Sequence, residues 1–162
     1  MKFGAFLAPH HPIGEHPMLQ MRNDIRFAAQ LDSLGYDEFW VGEHHSTGWE
    51  MLASPELFLS AASQRTHRIM LGTGVVSLPY HNPFMLADRM VQLDHMTRGR
   101  AMFGVGPGAL VHDALKIGVD PDAQRQMMYD SFDVIVPLLR GETVNRKTDW
   151  FNLTDAQLQL RP

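Results

Sequence analysis

The chain has 162 residues, 44% of them hydrophobic and 20% charged, with a formal net charge of -4. That is enough for one real core, and the acidic balance argues against a nucleic-acid backbone as the main partner. The absence of Cys excludes disulfide frameworks and thiolate metal sites, and no apolar run is as long as a membrane span, so a cytoplasmic protein is expected.

The first strand is expected over 2–7. Its apolar run is too short for a secretion signal and ends at His10, His11 and Pro12. A loop over 8–18 is rich in proline and histidine. A first helix follows over 19–34, with Ile25, Ala28 and Leu31 joined by Phe27 and Leu34 in one broad stripe, and Gly35 stops it. The second strand, 36–42, is a buried-type run that leads directly into Glu43-His44-His45. After a loop over 43–53, Ser54-Pro55 starts a second helix that runs to about Thr66. The third strand is Ile69 to Gly74, followed by a loop over 77–81. Asn82-Pro83 repeats the start signal for a third helix, buried through Leu86, Met90 and Leu93 and ended by Gly99. The fourth strand is 101–105, and a fourth helix runs from about Asp122 to Arg140 with Met128, Phe132, Ile135, Val136 and Leu139 as its stripe. Most of the eleven Met residues fall in apolar helical positions and read as flexible core filler.

Residues 1–141 therefore form four strand–helix units with βαβ spacing. Beyond Gly141 the pattern changes to three short strand-like runs, 143–146, 150–153 and 157–160, read as the start of a β insertion over 142–162. Four parallel strands fit either an open sheet or half of an eight-stranded barrel, which takes about 250 residues.

Nine His is an enrichment with a pattern. His10 and His11 follow the first strand, His44 and His45 the second, His81 the third and His112 the fourth. In a parallel α/β fold these strand ends share one rim, where such folds place their chemistry. A zinc or iron site with Glu43 is one reading. It is weakened because adjacent strand residues point to opposite faces, and no metal ligand is assigned. Acid–base or anion-stabilising chemistry by one His of the pair is the other. Two glycine clusters, Gly72-Thr73-Gly74 and Gly104-Val105-Gly106-Pro107-Gly108, end the third and fourth strands. Neither is a dinucleotide fingerprint or a P-loop. Glycines here make turns and relieve crowding inside a barrel, or let a flat ligand approach the backbone; facing a histidine rim, they suggest a planar cofactor.

Taken together, Met1-Lys2-Phe3-Gly4, Gly35-Tyr36-Asp37 with Trp40 and Glu43-His44-His45, Leu71-Gly72-Thr73-Gly74, Leu78-Pro79, Asn82-Pro83, Leu93-Asp94-x-Met96-Thr97-x-Gly99-Arg100 and Phe103-Gly104-x-Gly106 resemble the N-terminal half of the bacterial luciferase-like flavin-dependent monooxygenases. The resemblance implies the first four units of a (β/α)8 TIM barrel. It implies reduced FMN bound at the strand ends and O2 activated as a flavin C4a-hydroperoxide that oxidises a small organic substrate. It further implies a separate flavin reductase and a homo-oligomer. His44 matches the histidine that supports the oxygenation chemistry. His45, Gly74, Val75, Gly106 and Pro107 match cofactor-binding positions, with a non-prolyl cis peptide at Gly74-Val75. Pro107 stands where luciferase has a basic residue, and Gly106 where it has Cys. Members run to well over 300 residues, so this chain alone is expected to bind little flavin and to be inactive. The competing readings are a metal-dependent TIM-barrel hydrolase, an oxidoreductase using the deazaflavin F420, and a non-catalytic half-barrel assembly protein.

Overall fold

The computed structural model describes every residue except Pro9. Four parallel strands lie in sequence order: β1 (Gly4–Leu7), β2 (Glu38–Val41), β3 (Met70–Ser77) and β4 (Ala101–Gly106). The helices α1 (Pro17–Leu34), α2 (Pro55–Ser63), α3 (Pro83–Thr97), the short α4 (Val111–Ile117) and α5 (Gln124–Leu139) connect them and lead on. A separate antiparallel hairpin, β5 (Val144–Lys147) and β6 (Asn152–Ala156), ends the chain.

The two faces of the sheet differ. Phe39, Val41 and Leu71 point to the helices and are fully buried with Ala28, Leu59, Leu86 and Leu138. The alternation of a strand then sends Trp40 to the other face, in register with Phe6 on one side and Gly72 on the other. Phe6 on this second face is 59% exposed. A Cβ on Gly72 would lie 2.3 Å from the Trp40 ring, and one on Gly104 would meet the Thr73 carbonyl. These two glycines therefore make room for the indole and for close β3–β4 approach. Of the two readings of the glycine clusters, relief of crowding holds at 72 and 104.

The lower end, where strands enter the sheet, is tied by two side chains. Asp32, at the end of α1, accepts the backbone N–H groups of His67, Arg68 and Ile69 at 2.7–2.9 Å. Burial pushes its carboxyl up, but these three bonds outweigh that and hold it below the usual carboxylate range. Arg100, before β4, donates to the Thr66 hydroxyl and to the carbonyls of Thr66, Ile69 and Thr97.

Several expectations need correction. The first helix starts at Pro17, because His16 caps it by accepting from the Met18 N–H. Ser54 occupies its cap position without a side-chain bond, whereas Asn82 accepts from Phe84 and Met85. β3 continues past Gly74 to Ser77 through an irregular register against β4. The stripe of α5 is Ser131, Val134, Ile135 and Leu138, which leaves Phe132 half exposed; hydropathy misses it because Ser131 is polar and satisfies its hydroxyl on the Met127 carbonyl. Phe27 and Leu34 of α1 are exposed for the same one-step rotation, although Phe27 still packs edge-on against Phe39. Of the Met residues, only Met90 is in the buried core. α4 was not expected. No strand forms over 157–160: Leu158 turns into the core, and Gln157 donates to the Gly141 carbonyl instead of to a partner strand. Among the described residues, no helix is long and apolar enough to cross a membrane.

Candidate active site

At the carboxyl ends of the strands lies a cavity of about 580 Å³. Its floor is nearly bare backbone. Gly74-Val75, joined by a cis peptide bond, comes from β3, and Gly106-Pro107-Gly108 comes from the end of β4. Phe6, Ala8 and Val105 add apolar wall, and His44 and Glu50 supply the polar side. The floor depends on the absence of a side chain at 106, where a Cβ would sit 2.8 Å from a Val75 methyl. Among the lining residues there is no Lys or Arg.

His44 is held from both sides. Its Nδ1 lies 3.1 Å from Asp113 Oδ2, and its Nε2 lies 3.4 Å from Glu50 Oε1. Asp113 projects from α4 and is buried; its other oxygen accepts the backbone N–H of His45. Burial pushes the Asp113 carboxyl up, but bonds from Ser46, His44 and the His45 N–H prevail and hold it low. An ionised Asp113 accepts only, so His44 Nδ1 donates and the ring's orientation is fixed. Nε2 is left beside Glu50 at the cavity, where a proton can be held or moved. Glu50 is in turn tied to His10, whose Nε2 is 2.8 Å away.

His45 turns away from the cavity. Its Nε2 donates to Glu43 Oε1 at 2.9 Å, and its ring meets Tyr80 edge-on. His81 Nε2 donates to the same oxygen at 2.9 Å, while Glu43 Oε2 accepts the Ser77 N–H. Glu43 is thus a buried carboxylate that accepts three hydrogen bonds, two at Oε1 and one at Oε2. Burial alone would raise its pKa; the bonds from His45, His81 and Ser77 lower it to about 2. The bond to Glu43 raises the pKa of His45, against the opposing effect of burial. Gln124, at the start of α5, donates to both the Tyr80 hydroxyl and the Pro107 carbonyl and so ties this network to the cavity floor.

The structure therefore brings His44, Gly74, Val75, Gly106 and Pro107 around one cavity and leaves His45 in the wall behind it. Two other rim histidines do not join. His11 is buried against Asp24 of α1, with Nε2 at 2.7 Å, and His112 is exposed. Asp113, Glu50, Tyr80 and Gln124 escaped the sequence reading. The one signal for Asp113 was its place beside His112 just beyond the fourth strand; the helix turns the neighbour inward. Among the described residues, no group of three or more His, Asp or Glu side chains is placed to hold a metal ion.

Bonded His and carboxylate side chains gathered at the carboxyl ends of a parallel sheet lie where α/β barrels place their sites. The family model of the luciferase-like monooxygenases matches residues 1–162, and the chain belongs to that family. It is 57% identical to 4-hydroxyprotoasukamycin monooxygenase of Streptomyces nodosus subsp. asukaensis, covering 100% of this chain and 44% of that protein. It is 56% identical to limonene 1,2-monooxygenase of Rhodococcus erythropolis, covering 99% of this chain and 41% of that protein. The chain thus spans less than half the length of these relatives. The fold is shared with the oxygenating constituent of 3,6-diketocamphane monooxygenase from Pseudomonas putida, solved in complex with FMN, at a TM-score of 0.88 and 24% identity, over 98% of this chain and 48% of that one.

Proposed function

We propose that this chain forms the flavin-ring half of a monooxygenase that uses reduced FMN and O2 to insert one oxygen atom into a small organic molecule. The observation that supports this most is the cavity itself: a backbone floor at 74–75 and 106–107 with a braced imidazole at its edge. Its shape and apolar floor suit a flat ring system, and its volume lies in the usual range for small-molecule sites. Its lining holds no cation for a phosphate, so the phosphate grip falls to residues outside this cavity. Bound reduced FMN would supply the electrons that activate O2. Gly74, Val75, Gly106 and Pro107 would support the ring. His44, oriented by Asp113, would hold or deliver a proton at Nε2 and stabilise negative charge forming beside it. His45 would act through Glu43 in the wall rather than on the cofactor directly.

Residues 142–162 are read as the start of a β insertion in a longer barrel. A separate reductase would supply the reduced flavin, and the protein would act as a homo-oligomer in the cytoplasm. The 162-residue chain alone, with both outer strands unpaired, would bind little flavin and turn over nothing; strong quenching of flavin fluorescence by that chain would contradict this. The test of the whole reading is an assay of the complete protein with chemically reduced FMN and ¹⁸O2 on a panel of terpenes and ketones. One labelled atom per product, dependent on reduced FMN, supports it. Label incorporation independent of flavin, or none with any substrate, overturns it.

A further inference from the structure

Behind the cavity wall a chain of charged and titratable side chains runs outward from Glu43 to the groove between α2 and α3. His81 Nε2 donates to Glu43 Oε1 at 2.9 Å. On the other side of the same ring, Arg89 Nη2 lies 3.3 Å from His81 Nδ1. Arg89 Nε in turn donates to Glu56 Oε1 at 3.1 Å. Arg89 is on α3, lines the outer groove and does not reach the cavity.

The chemistry of these contacts leaves one arrangement. A guanidinium has five N–H donors and no acceptor. The nitrogen facing it must therefore carry a lone pair, and a protonated Nδ1 would set two N–H groups and two positive charges against each other. His81 is held as the neutral ring with its proton on Nε2. Only that tautomer can donate to Glu43, which already accepts from His45 and from the Ser77 N–H. Rotate or retautomerise His81, and a buried carboxylate loses one of its three partners. The strand ends it joins, β2 before His44 and β3 just past the Gly74-Val75 floor, lose their common anchor.

We propose that Arg89 is a positioning residue for the site: it selects the His81 tautomer and thereby fixes the Glu43 carboxylate, which anchors the end of β2 just before His44 to the end of β3 just past the Gly74-Val75 floor. This deepens the oxygenase reading and rests on it for its kinetic consequence, but the tautomer itself does not.

The experiment is two-bond ¹H–¹⁵N correlation of the imidazoles in the complete protein, assigned with a His81→Gln variant, in parallel with kinetics. Wild-type His81 should show one neutral form, with Nε2 protonated and Nδ1 bare. Arg89→Leu should lose that single form and lower kcat/KM about tenfold. Arg89→Lys, which keeps a donor, should restore both to within about threefold. A wild-type His81 that is protonated on Nδ1, alone or with Nε2, overturns the proposal even if no variant folds. So does an Arg89→Leu variant with altered tautomer and wild-type kcat/KM, or a Lys variant that recovers thermal stability but not the tautomer. If the wild-type protein oxygenates nothing, the oxygenase reading fails while the spectrum still decides the tautomer.

Discussion

The two ends of the sheet each bury a carboxylate, and the partners chosen differ. Asp32, at the lower end, is held by three backbone N–H groups that never titrate. Glu43, at the upper end, is held by two imidazoles and one backbone N–H. The lower device holds a loop against the entry of β3. The upper one holds side chains beside a cavity and makes their geometry depend on protonation. A fold can staple itself with backbone donors alone; imidazoles on a buried carboxylate add a response to pH and a link to neighbouring chemistry.

The largest effect should come from breaking the lower staple. Asp32→Ala orphans three N–H groups at once and should cost about 4 kcal/mol in chemical denaturation, while the KM of the surviving folded protein stays at its wild-type value.

Glu43→Gln should cost slightly less and should separate the two ends by pH. A carboxyl lowered from 4.5 to about 2 binds protons more weakly in the folded state. Its stabilisation, about 3 kcal/mol, is therefore complete above pH 4.5 and is lost as pH falls towards 2. His45 has the opposite sign. Its raised pKa contributes stability below 6.5 that fades as pH rises through the folded value. Stability profiles of wild type should thus fall on both flanks; Glu43→Gln should soften the acid flank, to which the lowered Asp32 and Asp113 still contribute, and flatten the alkaline one. An unchanged profile would mean that Glu43 is not coupled to His45.

Asp113→Asn tests the bracing of His44. The amide can present an N–H to Nδ1 and favour the wrong tautomer, so kcat should drop about a hundredfold with little change in melting temperature. Gly106→Ala tests the floor: the new Cβ meets a Val75 methyl at 2.8 Å, and binding of reduced FMN should weaken about tenfold. His112→Ala, at an exposed position, should stay within about 0.5 kcal/mol of wild type.

The frame of this molecule was legible because periodicity and start signals report it locally. Asn82-Pro83 marked α3 to the residue, and the run into Glu43-His44-His45 marked β2. His44 and the 74–75 and 106–107 segments were legible through their motifs, and the structure gathers them around one cavity. The supports were not. Asp113 lies 69 residues from His44, on a helix too short to show a period. Gln124 is a polar residue in a buried helix position, which hydropathy reads as a surface face. His45 and His112 show the remaining limit: adjacency to a strand end brings a residue near a site, but its direction is set by a partner elsewhere in the chain.

The most direct test of the central claim is an anaerobic titration of the complete protein with reduced FMN, wild type beside Gly106→Val. If the backbone floor of this half receives the flavin ring, wild type binds with saturable affinity and the valine variant, still folded by circular dichroism, binds at least tenfold more weakly. Equal affinity in the two proteins, or no binding by wild type, would contradict the account.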